Sequence, residues 1–406
     1  MKNLGIIGGG AAGMTAAIEA AYTNPRLDIT IYERMDRVGK KLLATGNGRC
    51  NYSNLNARVD NYYGKDPHFT ANALNTYTVG DTLNFFNNLG VFPREEEKGK
   101  LYPFSGQASA VLDALRNELA RLNINIVHAH ISDIAKTKKG FKLTDKDNNS
   151  YFCDRLILSA GGCASPSLGS DGSGFKLLES LGHHITKLYP ALVQLKTPTD
   201  EVKSLQGIKI EGTLTILTNE EVLGCEEGEI LFTDYGISGP PVFQLSALAA
   251  RYKGLTASID FMSEYPQKDI YDILENRVKN LSHLTMENYF TGLLNKRLGN
   301  IIARRAGIEK LSYPVAKLNK AQLWKITALI KDLRFEITGT KGFSNAQVTA
   351  GGVYTNEFSP YTMESKLCKG LYCAGEIYDI FGDCGGYNLQ WAWSSGRLAG
   401  KSAAEL

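Results

Sequence analysis

A chain of 406 residues, 43% hydrophobic and 21% charged, has enough apolar material for two or three domains with real cores. Its formal net charge of +3 lacks the basic excess of a nucleic-acid-binding chain, and no apolar run approaches the ~18 residues of a membrane span. A small-molecule partner is expected, with no nucleic acid and no membrane; the oligomeric state stays open. The first residues carry one lysine and no secretory pattern, so a cytoplasmic location is expected. Seven cysteines lie scattered without a CxxC pair, which suits a reducing compartment and offers no metal or redox site. Cys153 and Cys373 sit in apolar strand-like runs and read as core.

The first predicted unit is LGIIGGGAAGMTAA at 4–17, followed by DITIYER. It reads as buried strand, glycine turn, helix, strand and acidic end. Gly8 permits the tight turn, Gly10 lets a pyrophosphate approach the backbone, and Gly13 lets helix and strand lie close. Ala11 and Ala12 complete the turn, and the helix N-terminus offers N–H groups to phosphates. Glu33 stands twenty residues after Gly13, where a carboxylate accepts from a ribose hydroxyl and repels a 2′-phosphate. FAD or NAD is therefore expected over NADP, with Arg34 beside the acidic residue.

GKKLLATGNGRCN at 39–51 is unusual for a loop. Lys40, Lys41 and Arg49 bring charge. Gly46 and Gly48 permit close backbone approach, and Thr45, Asn47 and Asn51 bring hydrogen bonds, which suits diphosphate and flavin-ring contacts. Helices are predicted at 78–90 and 108–122, a strand at 124–129, and a hairpin from 141 leading into the buried strand LILSA. That strand ends at Ala160, Gly161 and Gly162, which join the candidate cofactor shell. A turn into a helix follows at 169–183, and His183-His184 read as its C-terminal cap.

From about residue 188 the pattern alternates as an antiparallel β-rich unit, and from 266 to 332 it becomes helical. The expected organisation is a discontinuous nucleotide-binding domain (1–188 and 341–406), a β-rich insertion (189–265 and 333–340) and a helical insertion (266–332). GISGPP is a turn whose Asp234, Tyr235 and Ser238 are polar enough to edge a substrate pocket. In the last stretch, GLYCAGEIYD places Gly375 and Glu376 at the carboxyl end of a strand. Gly385 and Gly386 then open a helix whose Tyr387, Asn388 and Leu389 amides face the pyrimidine end of an isoalloxazine. No second glycine fingerprint is present for a tightly held NAD(P), and no metal-ligand spacing is found.

The combination GGGAAG, GKKLLATGNGRCN, GEILFTDYGISGP, VTAGGV, TMESKL and GLYCAGEIYDIFGDCGGYNLQWAWSSG resembles the BaiN-like (YhiN-like, RdsA) family of bacterial flavoproteins, over residues 4 to about 400. That family is also labelled NAD(P)/FAD-dependent oxidoreductase or aminoacetone oxidase. The resemblance implies an α/β fold: a Rossmann-like FAD-binding domain interrupted by a β-barrel-like insertion and a small helical insertion. It implies non-covalent FAD, with Glu33 on the adenosine ribose, Gly10 to Gly13 on the pyrophosphate, and Val127 meeting the adenine through its backbone. Arg49, Cys50 and Asn51 would lie near the flavin, and Gly375, Glu376 and the run Gly386 to Gln390 would close its other end.

The expected activity is an FAD-dependent oxidoreductase that moves hydride through flavin N5 on a small organic substrate. It is either an amine oxidase or a reductase fed transiently by NAD(P)H. Arg49, Tyr387 and Asp383 are the candidate catalytic residues. The rival readings are a flavin-dependent factor that modifies a macromolecule such as tRNA, and a flavin redox sensor without turnover.

Overall fold

The apolar run that opens the chain becomes the middle of a five-stranded sheet in a computed structural model, which describes residues 2–405. The strands are β1 (Asn3–Ile7), β2 (Asp28–Glu33), β3 (Asn125–His128), β4 (Arg155–Leu158) and β5 (Leu371–Cys373). Their order is β5-β4-β1-β2-β3, and every pairing is parallel. Ile6, Ile31, Ile157 and Leu371 are fully buried, as a sheet covered on both faces requires. β5 arrives only after the long excursion of 191–342, so the tail completes a sheet that the N-terminus begins.

Three helices matter for the site: α1 (Ala11–Thr23), α2 (Ala108–Arg121) and α3 (Tyr387–Ala404). α1 and α3 are buried on nearly all sides and pack backbone to backbone. A Cβ on Gly400 would lie 2.2 Å from the carbonyl oxygen of Ala16, so only glycine allows this approach. The helix Val79–Asn88 begins on a reciprocal cap, Thr78 accepting from the Asp81 amide at 3.1 Å and Asp81 from the Thr78 amide at 2.9 Å. The predicted hairpin gains a third strand, Ile131–Lys136, which buries only Ile131 and Ile134 and so gave little apolar signal.

The chain divides into two units, Met1–Pro190 with Phe343–Leu406, and Ala191–Gly342. In the second, seven strands run antiparallel from Leu333–Ile337 at one end of the order to Gly339–Thr340 at the other. Thr338 alone separates those two in sequence, so the sheet curls round into a barrel-like form. Ile270, Leu274, Ile302, Ile326 and Ile330 of the helical stretch share one core with Ile216, Phe232 and Ile259 of the strands. The β-rich and helical segments, read from sequence as separate insertions, thus form a single unit over one core.

His183 caps the preceding helix through its backbone amide, which donates to the Leu178 carbonyl at 3.0 Å, but the side chains of His183 and His184 turn elsewhere. His183 is buried, with Nδ1 2.8 Å from Glu357 Oε2 and Nε2 3.0 Å from Ser365 Oγ, and its ring stacks on Phe358. His184 Nδ1 lies 2.6 Å from the other oxygen of Glu357. Burial holds His183 below its ordinary 6.5, outweighing the carboxylate. Burial opposes ionisation of Glu357, yet hydrogen bonds from both histidines hold it below the usual carboxylate range. Both folded values are depressed, so this stability is complete above about pH 6.5 and is lost as pH falls. The thermal midpoint is expected to be flat above pH 7 and to fall toward pH 5, with His183→Asn removing most of that slope.

Candidate active site

The carboxyl ends of β1, β2 and β4 meet at one edge of the sheet, where ligands of such folds bind. Gly8 turns the chain at φ +98°, and Ser159, just past β4, donates its hydroxyl to the carbonyls of Ile7 and Gly8 at 3.1 and 2.9 Å. A Cβ on Gly10 would meet nothing within 4 Å, whereas one on Gly13 would lie 1.9 Å from the oxygen of Gly8. The turn therefore faces open space at Gly10 and is closed at Gly13. α1 has no side-chain cap and no acidic residue in its first turn, which leaves the amides of Ala11, Ala12 and Gly13 without intrahelical acceptors.

Glu33 ends β2 almost buried, with Oε2 accepting from the Gly9 amide at 2.8 Å and Oε1 from the Met35 amide at 2.7 Å. Each oxygen keeps acceptor capacity for a hydroxyl. Arg34 pairs with Asp171, and its buried Nε has no partner. Val127 sits half-buried on β3, in register with Tyr32 of β2.

Lys41 donates to Glu376 Oε2 at 2.8 Å, and Glu376 Oε1 accepts from the Thr349 amide at 2.8 Å. The Thr349 hydroxyl in turn accepts from the Cys163 and Ala164 amides at 2.8 and 3.1 Å. A Cβ on Gly162 would strike this hydroxyl at 2.3 Å, so the Ala160-Gly161-Gly162 corner, Lys41 and Glu376 form one cluster. Lys40 instead turns to Asp36, at 2.5 Å. Gly375 lies against the first turn of α1, 2.9 Å from Ala12 Cβ to an added Cβ, and its amide donates to Ser395 at 3.0 Å.

The turn Thr45–Gly48 runs through left-handed Gly46 and Asn47, and Cys50 follows with φ 61°. The Cys50 thiol is fully buried and pushed up to about 12 by that burial, a bond from Thr45 opposing, so it stays protonated at neutral pH. Arg49 pairs with Glu96 and lies 4.2 Å over the Tyr102 ring. Asn51 has a buried side-chain oxygen with no partner, 2.8 Å from where a Cβ on Gly386 would stand. Gly386 starts α3, so this orphaned acceptor lies beside the amides of Tyr387, Asn388 and Leu389. An unmatched buried acceptor beside unmatched donors fits the donor–acceptor edge of an isoalloxazine. The open cradle at Gly10 fits a diphosphate. The residues present therefore fit FAD.

Several predicted site residues do something else. Gln390 is fully buried, accepting from Ser53 Oγ at 2.6 Å and donating to Thr82 and Ser394 at 2.9 Å each, so its side chain ties α3 into the core and does not face the cofactor. Gln390→Leu is expected to cost roughly 2–4 kcal/mol in chemical denaturation while keeping the flavin bound. Asp383 is held by Asn61 at 2.9 Å and the Tyr63 hydroxyl at 2.7 Å, which makes it an anchor between strands. Asn388 clasps Gly382 through its amide and carbonyl at 2.7 and 2.9 Å. Gly385 O accepts from the buried Asn54 at 2.9 Å. Leu389 is half-buried against the core. The Tyr387 phenol makes no hydrogen bond with a described residue; burial, then Asp383, push it up. Sequence reasoning missed Thr349, Ser159, Glu96 and Asn54. Only Thr349 had a signal, the neighbouring glycine pair in VTAGGV.

Among the described residues no group of three His, Cys, Asp or Glu could hold a metal ion, and no helix is long and apolar enough to cross a membrane. The profile of the HI0933-like protein Rossmann domain matches residues 2–402. The chain is 40% identical to a 3-dehydro-bile acid delta(4,6)-reductase of Clostridium scindens, with all of both chains covered. It is 32% identical to a ribosomal RNA dihydrouridine synthase of Escherichia coli, covering 96% of this chain and 95% of the other. Among solved structures, a 3-ketosteroid delta1-dehydrogenase from Sterolibacterium denitrificans has a TM-score of 0.50 at 12% identity, all of both chains covered. A quinol-fumarate reductase has a TM-score of 0.52 at 16% identity, covering all of this chain and 72% of the other. These two likenesses speak to the fold.

Proposed function

This chain belongs to the HI0933-like Rossmann-domain family and is an FAD-dependent oxidoreductase, and on that premise we propose that it is a reductase of a carbon–carbon double bond conjugated to a ring carbonyl. The observation that carries the reading is the 40% identity, over the full length, to a delta(4,6)-reductase of a 3-dehydro-bile acid. The activity named for the Escherichia coli relative agrees chemically, since making dihydrouridine from uridine also adds two hydrogens across a double bond conjugated to a carbonyl. A small cyclic enone is the first substrate class. A uracil base in RNA is the second, supported by the relatives named for ribosomal RNA and set against the expectation that nucleic acid plays no part. NADH or NADPH is the proposed donor, visiting transiently. The balance is donor, proton and enone giving oxidised nicotinamide and saturated ketone.

When bound, FAD supplies the hydride equivalent that joins donor to acceptor. The amides of Ala11, Ala12 and Gly13 hold its diphosphate, and Glu33 its adenosine ribose. Asn51 and the N-terminus of α3 orient its polar edge, and the helix dipole favours negative charge there. Tyr387 holds the proton destined for the carbon next to the substrate carbonyl. Its raised phenol stays protonated at neutral pH, as a donor must. Arg49 and Asp383, each committed to neighbouring side chains, position that region.

Anaerobic stopped-flow absorbance tests the reading. NADH or NADPH should bleach the flavin band, and a cyclic enone or a uridine-containing RNA should restore it. Bleaching by an amine alone, with recovery in air, would make the protein an oxidase and overturn the proposal; no bleaching by any donor would favour a sensor.

A further inference from the structure

The charge of this chain is unevenly spread. Residues 266–332 hold twelve Lys or Arg against six Asp or Glu, a surplus of six where the whole chain has a surplus of three. Part of it lies with exposed aromatic rings on the helix pair Gln267–Asn280 and Lys320–Lys331. Trp324 is 43% exposed and stacks on Tyr271, ring centroids 4.3 Å apart. Lys268 Nζ lies 5.7 Å from the centroid of Tyr271. Tyr265, also 43% exposed, stands where the two helices' ends meet, its carbonyl accepting from Lys331 at 2.9 Å. Lys268 and Lys331 are paired with Asp272 and Asp260. Lys317, Lys320 and Lys325 are exposed and make no ion pair among the described residues.

Unpaired ammonium groups on the helix that carries a half-exposed ring match one kind of occupant. A single nucleic-acid strand brings phosphates for the lysines and flat bases for the rings. An acidic protein would satisfy the lysines and leave the rings in water. We propose that this helix-pair face docks single-stranded RNA, with Trp324 and Tyr265 beneath bases and Lys317, Lys320 and Lys325 on phosphates. The proposal rests on the RNA branch of the reading above, and it is tested by binding alone, so that the two fail separately.

The test is fluorescence anisotropy of a labelled twelve-nucleotide uridine RNA, about the length that such surfaces cover, titrated with the flavin-loaded full chain. Trp324→Leu is expected to weaken binding about tenfold. Lys320→Gln with Lys325→Gln is expected to lower the slope of log affinity against log salt by about 1.4. Flavin absorbance and the thermal midpoint, unchanged in both variants, show that they are folded. No binding, equal binding by the variants, or equal competition by polyglutamate would each overturn the proposal. Competition by unlabelled RNA alone supports it.

Discussion

Gly13→Ala is expected to give a destabilised protein that purifies without its yellow colour. The added Cβ would stand 1.9 Å from the Gly8 oxygen and 2.7 Å from Ser159 Oγ, and neither neighbour can step aside. The Gly8 carbonyl is part of the turn, and Ser159 is anchored to it by a 2.9 Å hydrogen bond. Helix α1 must therefore move away from β1. The cost is about 3 kcal/mol, typical of an overfilled core, and the amides proposed to hold the diphosphate move with the helix. Gly10→Ala separates the two effects, because its Cβ meets open protein space. That variant should melt with the parent yet bind FAD far more weakly, since the space it fills is the ligand's. Thermal melts and the ratio of flavin to protein absorbance read both outcomes. A Gly13→Ala protein that binds FAD with parental affinity would sink the assignment of this turn.

These glycines were legible in sequence because everything that defines them is local. Strand, turn, helix and Glu33 occupy one short stretch, and each residue's duty follows from its neighbours. The Lys41–Glu376–Thr349 cluster was only half legible. Lys41 and Glu376 each drew attention inside a glycine-rich motif, yet 335 positions separate them, and nothing local pairs them. Gln390 shows the opposite failure. It lies one turn beyond the free amides that open α3, but α3 is buried on nearly every side, so adjacency in sequence did not mean a shared neighbour. The helical stretch after 266 was legible as helices, whereas its core was not: an amphipathic stripe says that a face is covered and not by what. Net charge is coarse in a similar way, since a sum over the chain conceals the surplus of residues 266–332.

Tyr387→Phe is expected to slow turnover by about a hundredfold, within the usual range for losing a positioned proton donor. The substitution keeps the ring, which lies edge-on to Tyr62 with centroids 6.5 Å apart, and it keeps the backbone carbonyl that accepts from the Tyr62 hydroxyl at 2.9 Å. The phenol oxygen that is lost makes no hydrogen bond with a described residue, so stability should change little. The effect should therefore be confined to one half of the reaction. Bleaching of the flavin by NADH or NADPH needs no proton from this residue and should proceed at the parental rate. Recolouring by the enone needs one at the carbon next to the carbonyl and should carry the whole loss. Parental turnover should also decline at high pH as the phenol ionises, above its ordinary 10, because burial and then Asp383 raise it. In the Phe variant that alkaline limb should vanish. Equal slowing of both halves would assign Tyr387 to holding the cofactor, and an unchanged enone step would move the proton donor to the substrate's own solvent.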